Sequence, residues 1–187
     1  MRIVGGRLRG RSLSGPTGAG IRPTSDRLRE SIFNVLTHAY DDVVEGARVI
    51  DLFAGTGALG LEALSRGAKF ALFVDDGSQA RSLIRGNVDA LGLGGETRIF
   101  RRDATKLGPM QPQDRFTLAF LDPPYAKGLA LPALASLLEG GWLAADALVI
   151  VEEDASVDLG TPAGFTMLER RAYGDTAFTC LRNGAAD

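Results

Sequence analysis

The stretch Arg48-Val49-Ile50-Asp51-Leu52-Phe53-Ala54-Gly55-Thr56-Gly57-Ala58-Leu59-Gly60 carries the fold. Arg48 to Phe53 is an apolar run of strand length, and the glycines break it into a tight turn. A helix follows, running to about Arg66 with Gly67 as its stop. Strand, glycine turn and helix in this order open a βαβ unit. The next residues repeat the pattern: a second strand over Phe70 to Val74 ends at Asp75-Asp76, and a helix runs from about Ser78 to Leu91 before Gly92 and Gly94. A third strand covers about Thr97 to Arg101 and ends near Asp103. A fourth, Thr117 to Leu121, delivers Asp122-Pro123-Pro124-Tyr125. Leu129 to Leu138 is a helix, and Ala147 to Val151 a fifth strand. Alternation of this kind predicts an α/β fold with a mostly parallel sheet and helices on both faces. Phe165 to Tyr173 and Thr176 to Leu181, around Gly174-Asp175, close the chain as a β-hairpin.

Acids follow the strands at Asp51, at Asp75 or Asp76, at Asp103 and at Asp122, where an open α/β sheet binds its ligand. Gly55, Gly57 and Gly60 form G-x-G-x-x-G with an acid about 20 residues on, a dinucleotide fingerprint. The acid at Asp51 opposes that reading: it repels a pyrophosphate and attracts a cation. No nearby residue suits hydride transfer. S-adenosylmethionine, with its ammonium and sulfonium and no phosphate, fits better than NAD. Asp122-Pro123-Pro124-Tyr125 places a carboxylate, free carbonyls and an aromatic ring in one small volume, because each proline removes an N–H and stiffens the turn. That set grips a flat polar group such as a nucleobase.

The chain of 187 residues is long enough for one α/β domain with a short appendage. Its net charge of −2 hides an asymmetry. Arg2, Arg7, Arg9, Arg11, Arg22, Arg27 and Arg29 in the first 36 residues face only Asp26 and Glu30, so a basic arm precedes an acidic body. Such an arm suits a polyanion, and arginine holds phosphate bidentately. Short apolar pieces around Gly5-Gly6 signal a hairpin, Gly15 to Gly20 a loop. A helix is expected from about 25 to 39, capped by Thr24, Ser25 or Asp26. The one histidine, His38, falls at its end and complements the helix dipole. One cysteine, Cys180, excludes an internal disulfide and a cysteine zinc site. No stretch reaches the ~18 apolar residues of a membrane span. A cytoplasmic enzyme without metal is expected.

The motifs Asp51 to Ala63 and Asp122-Pro123-Pro124-Tyr125 resemble those of S-adenosylmethionine-dependent amino-methyltransferases. Gly5-Gly6-Arg7-Leu8-Arg9-Gly10-Arg11, Arg22-Pro23-Thr24, Arg27 to Asn34 and Tyr173-Gly174-Asp175-Thr176 are similar to one branch. That branch is the bacterial RsmD-like family, which methylates the N2 amine of one guanine in 16S ribosomal RNA. The likeness runs colinearly over nearly the whole chain. It implies a Rossmann-like class I methyltransferase: a seven-stranded sheet with the last strand antiparallel, over residues 41–187, and a hairpin-and-helix extension for RNA over residues 1–40. It implies cofactor contacts from Asp51, Phe53, Ala54, Gly55, Thr56 and Gly57 around the methionine part, from Asp75 or Asp76 to the ribose, and from Asp103 with Ala104 at the adenine. The family usually has Glu at position 75, which leaves Asp75 and Asp76 both open. Catalysis falls to Asp122, Pro123, Pro124 and Tyr125, and RNA contact to Arg7, Arg9, Arg11, Arg22, Thr24, Arg27 and Arg29. The implied substrate is 16S RNA in a 30S subunit or assembly intermediate, met by a monomer. Asp-Pro-Pro-Tyr is equally at home in adenine-N6 methyltransferases acting on DNA or RNA, the alternative reading.

Overall fold

Alternate residues of the central strands point to opposite faces of one sheet, and the two faces feed two apolar cores. Val49, Leu118, Phe120, Leu148 and Ile150 face one core. Ile50, Leu52, Ala119, Leu121, Val149 and Val151 face the other. The computed structural model describes residues 1–18 and 24–184. In chain order the elements are α1 (Asp26–Ala39), β1 (Arg48–Leu52), α2 (Ala58–Ser65), β2 (Phe70–Val74), α3 (Ser78–Leu91), β3 (Thr97–Phe100), β4 (Phe116–Leu121), α4 (Ala130–Glu139), β5 (Leu143–Asp154), β6 (Phe165–Tyr173) and β7 (Thr176–Asn183). The sheet has seven strands in the order β3-β2-β1-β4-β5-β7-β6. β1 to β5 pair in parallel, and β7 runs antiparallel to both of its neighbours. Helices α1, α2 and α3 cover the first core and α4 the second. This is the expected mostly parallel α/β sheet with an antiparallel last strand.

Local chemistry explains the element ends. The Ser25 side chain accepts the Leu28 N–H at 3.1 Å and caps α1, whose Leu28, Ile32, Phe33, Val35 and Leu36 are buried. Gly57 starts α2 with φ of 79°. At Gly60 a Cβ atom meets the Phe73 ring at 2.4 Å, so any side chain there displaces β2 from α2. β5 is longer than expected because its first residues continue past the Phe116–Leu143 pairing and a register shift before Leu148.

The amino-terminal arm doubles back antiparallel, and its turn contains Gly5-Gly6. It carries a single antiparallel bridge, Arg2 to Ser12, and its turn is wide. Its two halves pair, with the Ile3 N–H donating to the Arg11 carbonyl and the Leu13 N–H to the Met1 carbonyl (both 2.9 Å), and the arm is seated on α2. The Glu62 carboxylate accepts the N–H groups of Val4 (2.9 Å) and Gly5 (2.8 Å), and Ser65 takes those of Arg7 and Leu8. Backbone donors with no strand partner are satisfied this way.

Candidate active site

The even-numbered residues of β4 and β5 and the odd-numbered residues of β1 share one sheet face. This brings three acids from separate strands to one place. Asp51 lies near the end of β1. One residue beyond the paired Leu121 and Val151, Asp122 and Glu152 come side by side. Thr24 and α1 lie over the same face. The result is a cavity of about 680 Å³ at the carboxyl ends of the strands. Its wall includes Asp51, Phe53, Ala54, Gly55, Thr56, Asp75, Asp76, Asp122, Pro123, Pro124 and Tyr125, so one cavity joins the glycine turn to the proline turn.

The glycine-turn side is held by carboxylates. Asp51 is 1 % exposed, and its Oδ2 accepts the Gly60 N–H at 3.0 Å. Burial pushes its carboxyl up to about 8, against the partial relief of that hydrogen bond, with the Asp75 charge adding to the rise. Asp75 accepts the Gly55 N–H at 3.0 Å and the Gly77 N–H at 2.9 Å, so it fixes the turn from the next strand. Arg81 donates to the Asp75 and Asp76 backbone carbonyls from behind. Asn87 of α3 donates to the Thr56 carbonyl at 3.0 Å and clasps Ser14 of the arm through both of its amide atoms.

On the proline-turn side the Asp122 N–H donates to the Leu52 carbonyl at 3.4 Å, tying the turn to β1. Thr24 Oγ1 lies 3.1 Å from Asp122 Oδ2 and 3.0 Å from Glu152 Oε2. The Tyr125 hydroxyl donates to Glu152 Oε1 at 3.0 Å and lies 2.9 Å from Thr176 Oγ1. Burial first, and the Glu152 carboxylate second, hold the Asp122 carboxyl well above the usual carboxylate range. Burial likewise pushes the Tyr125 phenol up to about 12.

Not every expected residue reaches this cavity. Gly57 stands behind the wall, between Phe73 and Ile84. Asp103 is exposed, and its Oδ1 is taken by the N–H and hydroxyl of Thr105 (2.8 and 2.7 Å), while Ala104 is buried in the second core. Neither lines the cavity.

Two of the expected RNA contacts are corrected. Arg29 is fully buried: it bonds to the carbonyls of Thr24 and Arg2 and to Asp26, and faces Glu62. A guanidinium enclosed this way has no phosphate-facing surface. Thr24 is buried between two carboxylates, which repel a phosphate. Arg7, Arg9, Arg11 and Arg27 are exposed, and Arg22 lies outside the described residues. Arg7 pairs with Glu96 at 2.7 Å and Arg11 donates to the Ala90 carbonyl, which lays the arm along the end of α3 and the turn before β3.

Sequence reasoning missed Glu152, Thr176 and Asn87. Glu152 had a signal: an acid run, Glu152-Glu153-Asp154, directly after the apolar strand Ala147 to Val151.

Comparison with known proteins follows the same outline. A family model described as Conserved hypothetical protein 95 matches residues 1–182. Ribosomal RNA small subunit methyltransferase D of Escherichia coli (strain K12) is 38 % identical over 187 residues, covering 99 % of this chain and 91 % of that protein. The protein of the same name from Haemophilus influenzae is 34 % identical over 185 residues, covering 98 % and 94 %. The solved structure of yhhF from Escherichia coli superposes with a TM-score of 0.83 at 32 % identity, covering 100 % of this chain and 99 % of that one.

Proposed function

The chain belongs to the Conserved hypothetical protein 95 family, the RsmD-like methyltransferases, and from that premise we propose that it methylates the exocyclic N2 amine of one guanine in 16S ribosomal RNA, with S-adenosylmethionine as donor. One observation carries the reading: the acid-and-glycine turn and the Asp122–Tyr125 turn are two walls of one cavity. The cavity's charge selects among cofactors. Its lining holds Asp51, Asp75, Asp76, Asp122 and Glu152, and no lysine or arginine among the described residues. A dinucleotide pyrophosphate meets only repulsion there; a cationic ligand without phosphate is attracted. Asp51 and the Gly55 backbone would hold the amino-acid part, and Asp75 or the exposed Asp76 the ribose.

S-adenosylmethionine supplies an electrophilic methyl carbon on a sulfonium. The work of the protein is then to present a poor nucleophile, since the guanine amine's lone pair is delocalised into the ring. Asp122 Oδ2 is engaged by Thr24, which leaves Oδ1 to accept one N–H of the amine. The Pro123 carbonyl would accept the other. Two acceptors favour a pyramidal nitrogen and localise its lone pair. Tyr125, fixed at its hydroxyl end by Glu152 and Thr176, sets the plane against which the base lies. Catalysis is therefore mostly positioning and electrostatics. The base must leave its stack to reach the turn. Arg7, Arg9, Arg11 and Arg27 would hold phosphates and give affinity rather than sequence choice. Choice of one guanine then rests on the shape of a 30S subunit or assembly intermediate. A single chain carries arm and site, so a cytoplasmic monomer suffices.

The test supplies hypomethylated small ribosomal subunits, free 16S RNA and duplex DNA with labelled S-adenosylmethionine, and maps the modified nucleotide. Label on a guanine N2 of 16S RNA supports the reading. Label on adenine N6 replaces it. Thermal shift with the demethylated cofactor product against NADH checks the cofactor independently.

A further inference from the structure

Three large hydrophobic side chains are exposed among the described residues, Leu131, Met167 and Tyr173, and of these only Tyr173 offers a ring. It ends β6 and is 39 % exposed. Its setting holds it still. The turn that follows has two residues, Gly174 (φ 59°) and Asp175, and sets Tyr173 directly opposite Thr176. The ring lies against Phe178 of β7, with centroids 5.7 Å apart and planes 10° from parallel. Phe178 is fully buried, so it covers one face of Tyr173, and the exposure belongs to the other face and the edge. We propose that Tyr173 is a stacking platform for an RNA base next to the one that enters the cavity, so that the β6–β7 hairpin is a second RNA-contacting surface beside the arm.

Strand register ties this ring to the proline turn. Phe178 pairs with Glu152 on β5 and with Arg171 on β6, and Glu152 stands beside Asp122. Asp122 and Arg171 are therefore three strand spacings apart, about 14 Å at ~4.8 Å each. Tyr173 lies two residues further along β6 on the same face as Arg171. Thr176, its cross-strand neighbour, lies 2.9 Å from the Tyr125 hydroxyl. The two tyrosines thus flank one threonine, one of them lining the cavity and the other outside it.

The chemistry around the ring selects the occupant, on the RNA-methylation reading above. An apolar protein patch docks on several neighbouring apolar side chains. Tyr173 instead stands alone among Arg171, Gly174 and Asp175, all exposed. One flat apolar face with a polar rim matches a nucleobase, which has a π-face and a polar edge. Arg171 binds Glu169 through Nε and keeps 45 % of its side chain exposed, a cation at the edge of the ring for the adjoining phosphate. The reaction also creates the need. A base drawn out of its stack leaves its neighbours with one face uncovered. Tyr173 covers one such face, which offsets part of the unstacking cost and holds the strand while the target base lies in the cavity.

Steady-state methylation of hypomethylated small ribosomal subunits tests the platform. Tyr173→Ala and Tyr173→Leu are expected to raise KM for the subunit about five- to tenfold, with kcat within about twofold of wild type and the Kd for S-adenosylmethionine unchanged. Tyr173→Phe keeps the ring and is expected to hold KM within about twofold of wild type. The second readout needs no turnover: a 16S RNA fragment carrying 2-aminopurine on either side of the target guanine. Wild type and Tyr173→Phe are expected to quench one of the two probes by stacking, and Tyr173→Leu to leave it bright. A wild-type KM in Tyr173→Ala refutes the platform. So does a Tyr173→Leu that matches Tyr173→Phe in both readouts, because bulk rather than a ring then suffices. A Tyr173→Ala that loses kcat and melting temperature at unchanged KM makes the residue a part of the hairpin fold only, which also refutes it. If no methyl reaches a guanine N2 but filter binding of the 16S fragment still weakens in Tyr173→Ala, the guanine-methylation reading falls and the ring stands as an RNA contact.

Discussion

The Arg29 guanidinium and the Glu62 carboxylate face each other with no exposed surface, Nε to Oε2 at 3.5 Å. Glu62 also binds the arm backbone at Val4 and Gly5 and the Arg66 side chain at 2.8 Å. One carboxylate on the helix after the glycine turn thus holds α1, the arm and α2 together. Removing one partner leaves the other with a remaining counter-charge, Asp26 for Arg29 and Arg66 for Glu62, so the cost falls below the ~3 to 5 kcal/mol of a stranded buried charge. Arg29→Met and Glu62→Gln are each expected to lower the unfolding free energy by about 2 kcal/mol, read as a lower denaturant midpoint at unchanged m-value. For the fraction still folded, the salt dependence of RNA affinity is expected to match wild type with Arg29→Met. A flattened salt slope returns Arg29 to the RNA surface.

The exposed arginines carry the opposite expectation. Arg7, Arg9 and Arg11 face solvent along one arm. Replacing all three by alanine is expected to reduce the slope of log affinity against log salt by about 2 to 3, with the melting temperature nearly unchanged. Filter binding of a 16S RNA fragment at several salt concentrations measures it, and an unaltered slope removes the arm from the interface.

How much was legible follows from which signals are local. The Asp51–Gly60 turn, the Asp122–Tyr125 turn and the helix from Ser78 to Leu91 are punctuated by glycine or proline, and their positions match the structure closely. The meeting of Asp122 with Glu152 depends on strand register, which no short stretch encodes. Thr24 looked like part of a basic arm because only the tertiary fold shows it tucked against two carboxylates. Arg27 and Arg29 are each flanked by Leu28 and an acid, yet two residues apart on α1 they point about 200° away from each other. Burial separates them, and burial follows from which helix face meets α2. Asp103 sits at the strand end that was expected, and its Oδ1 is engaged in the turn to Thr105.

Asp122 and Tyr125 separate chemistry from cofactor binding. On the proposed reading Asp122→Ala removes an acceptor for the substrate amine, and it is expected to lower kcat about a hundredfold or more, with the Kd for S-adenosylmethionine within a few-fold. Tyr125→Phe keeps the ring and loses two hydroxyl contacts, so a drop of about fivefold in kcat/KM for RNA is expected, from about 1 kcal/mol. Single-turnover methylation and equilibrium dialysis give the two numbers. Equal losses of turnover and cofactor affinity at Asp122 would assign it to the cofactor instead.

Asp51 sets the last expectation, through its proton. Its carboxyl titrates at about 8 in the folded chain against an ordinary 3.8, because burial disfavours the charge. A raised carboxyl contributes stability that is complete below 3.8 and is lost as pH climbs toward about 8, since only the unfolded chain ionises in that window. Asp51→Asn is therefore expected to flatten the fall of melting temperature with pH across that window. A bound cation reverses the preference within the cavity. On the proposed reading the ammonium of S-adenosylmethionine would favour the Asp51 carboxylate, so binding at about pH 6.5 is expected to release up to about one proton. Calorimetry in two buffers of different ionisation heat counts it. Asp51→Asn is expected to bind more weakly and release less. An identical binding enthalpy in both buffers for the wild type would mean that Asp51 does not meet the cation.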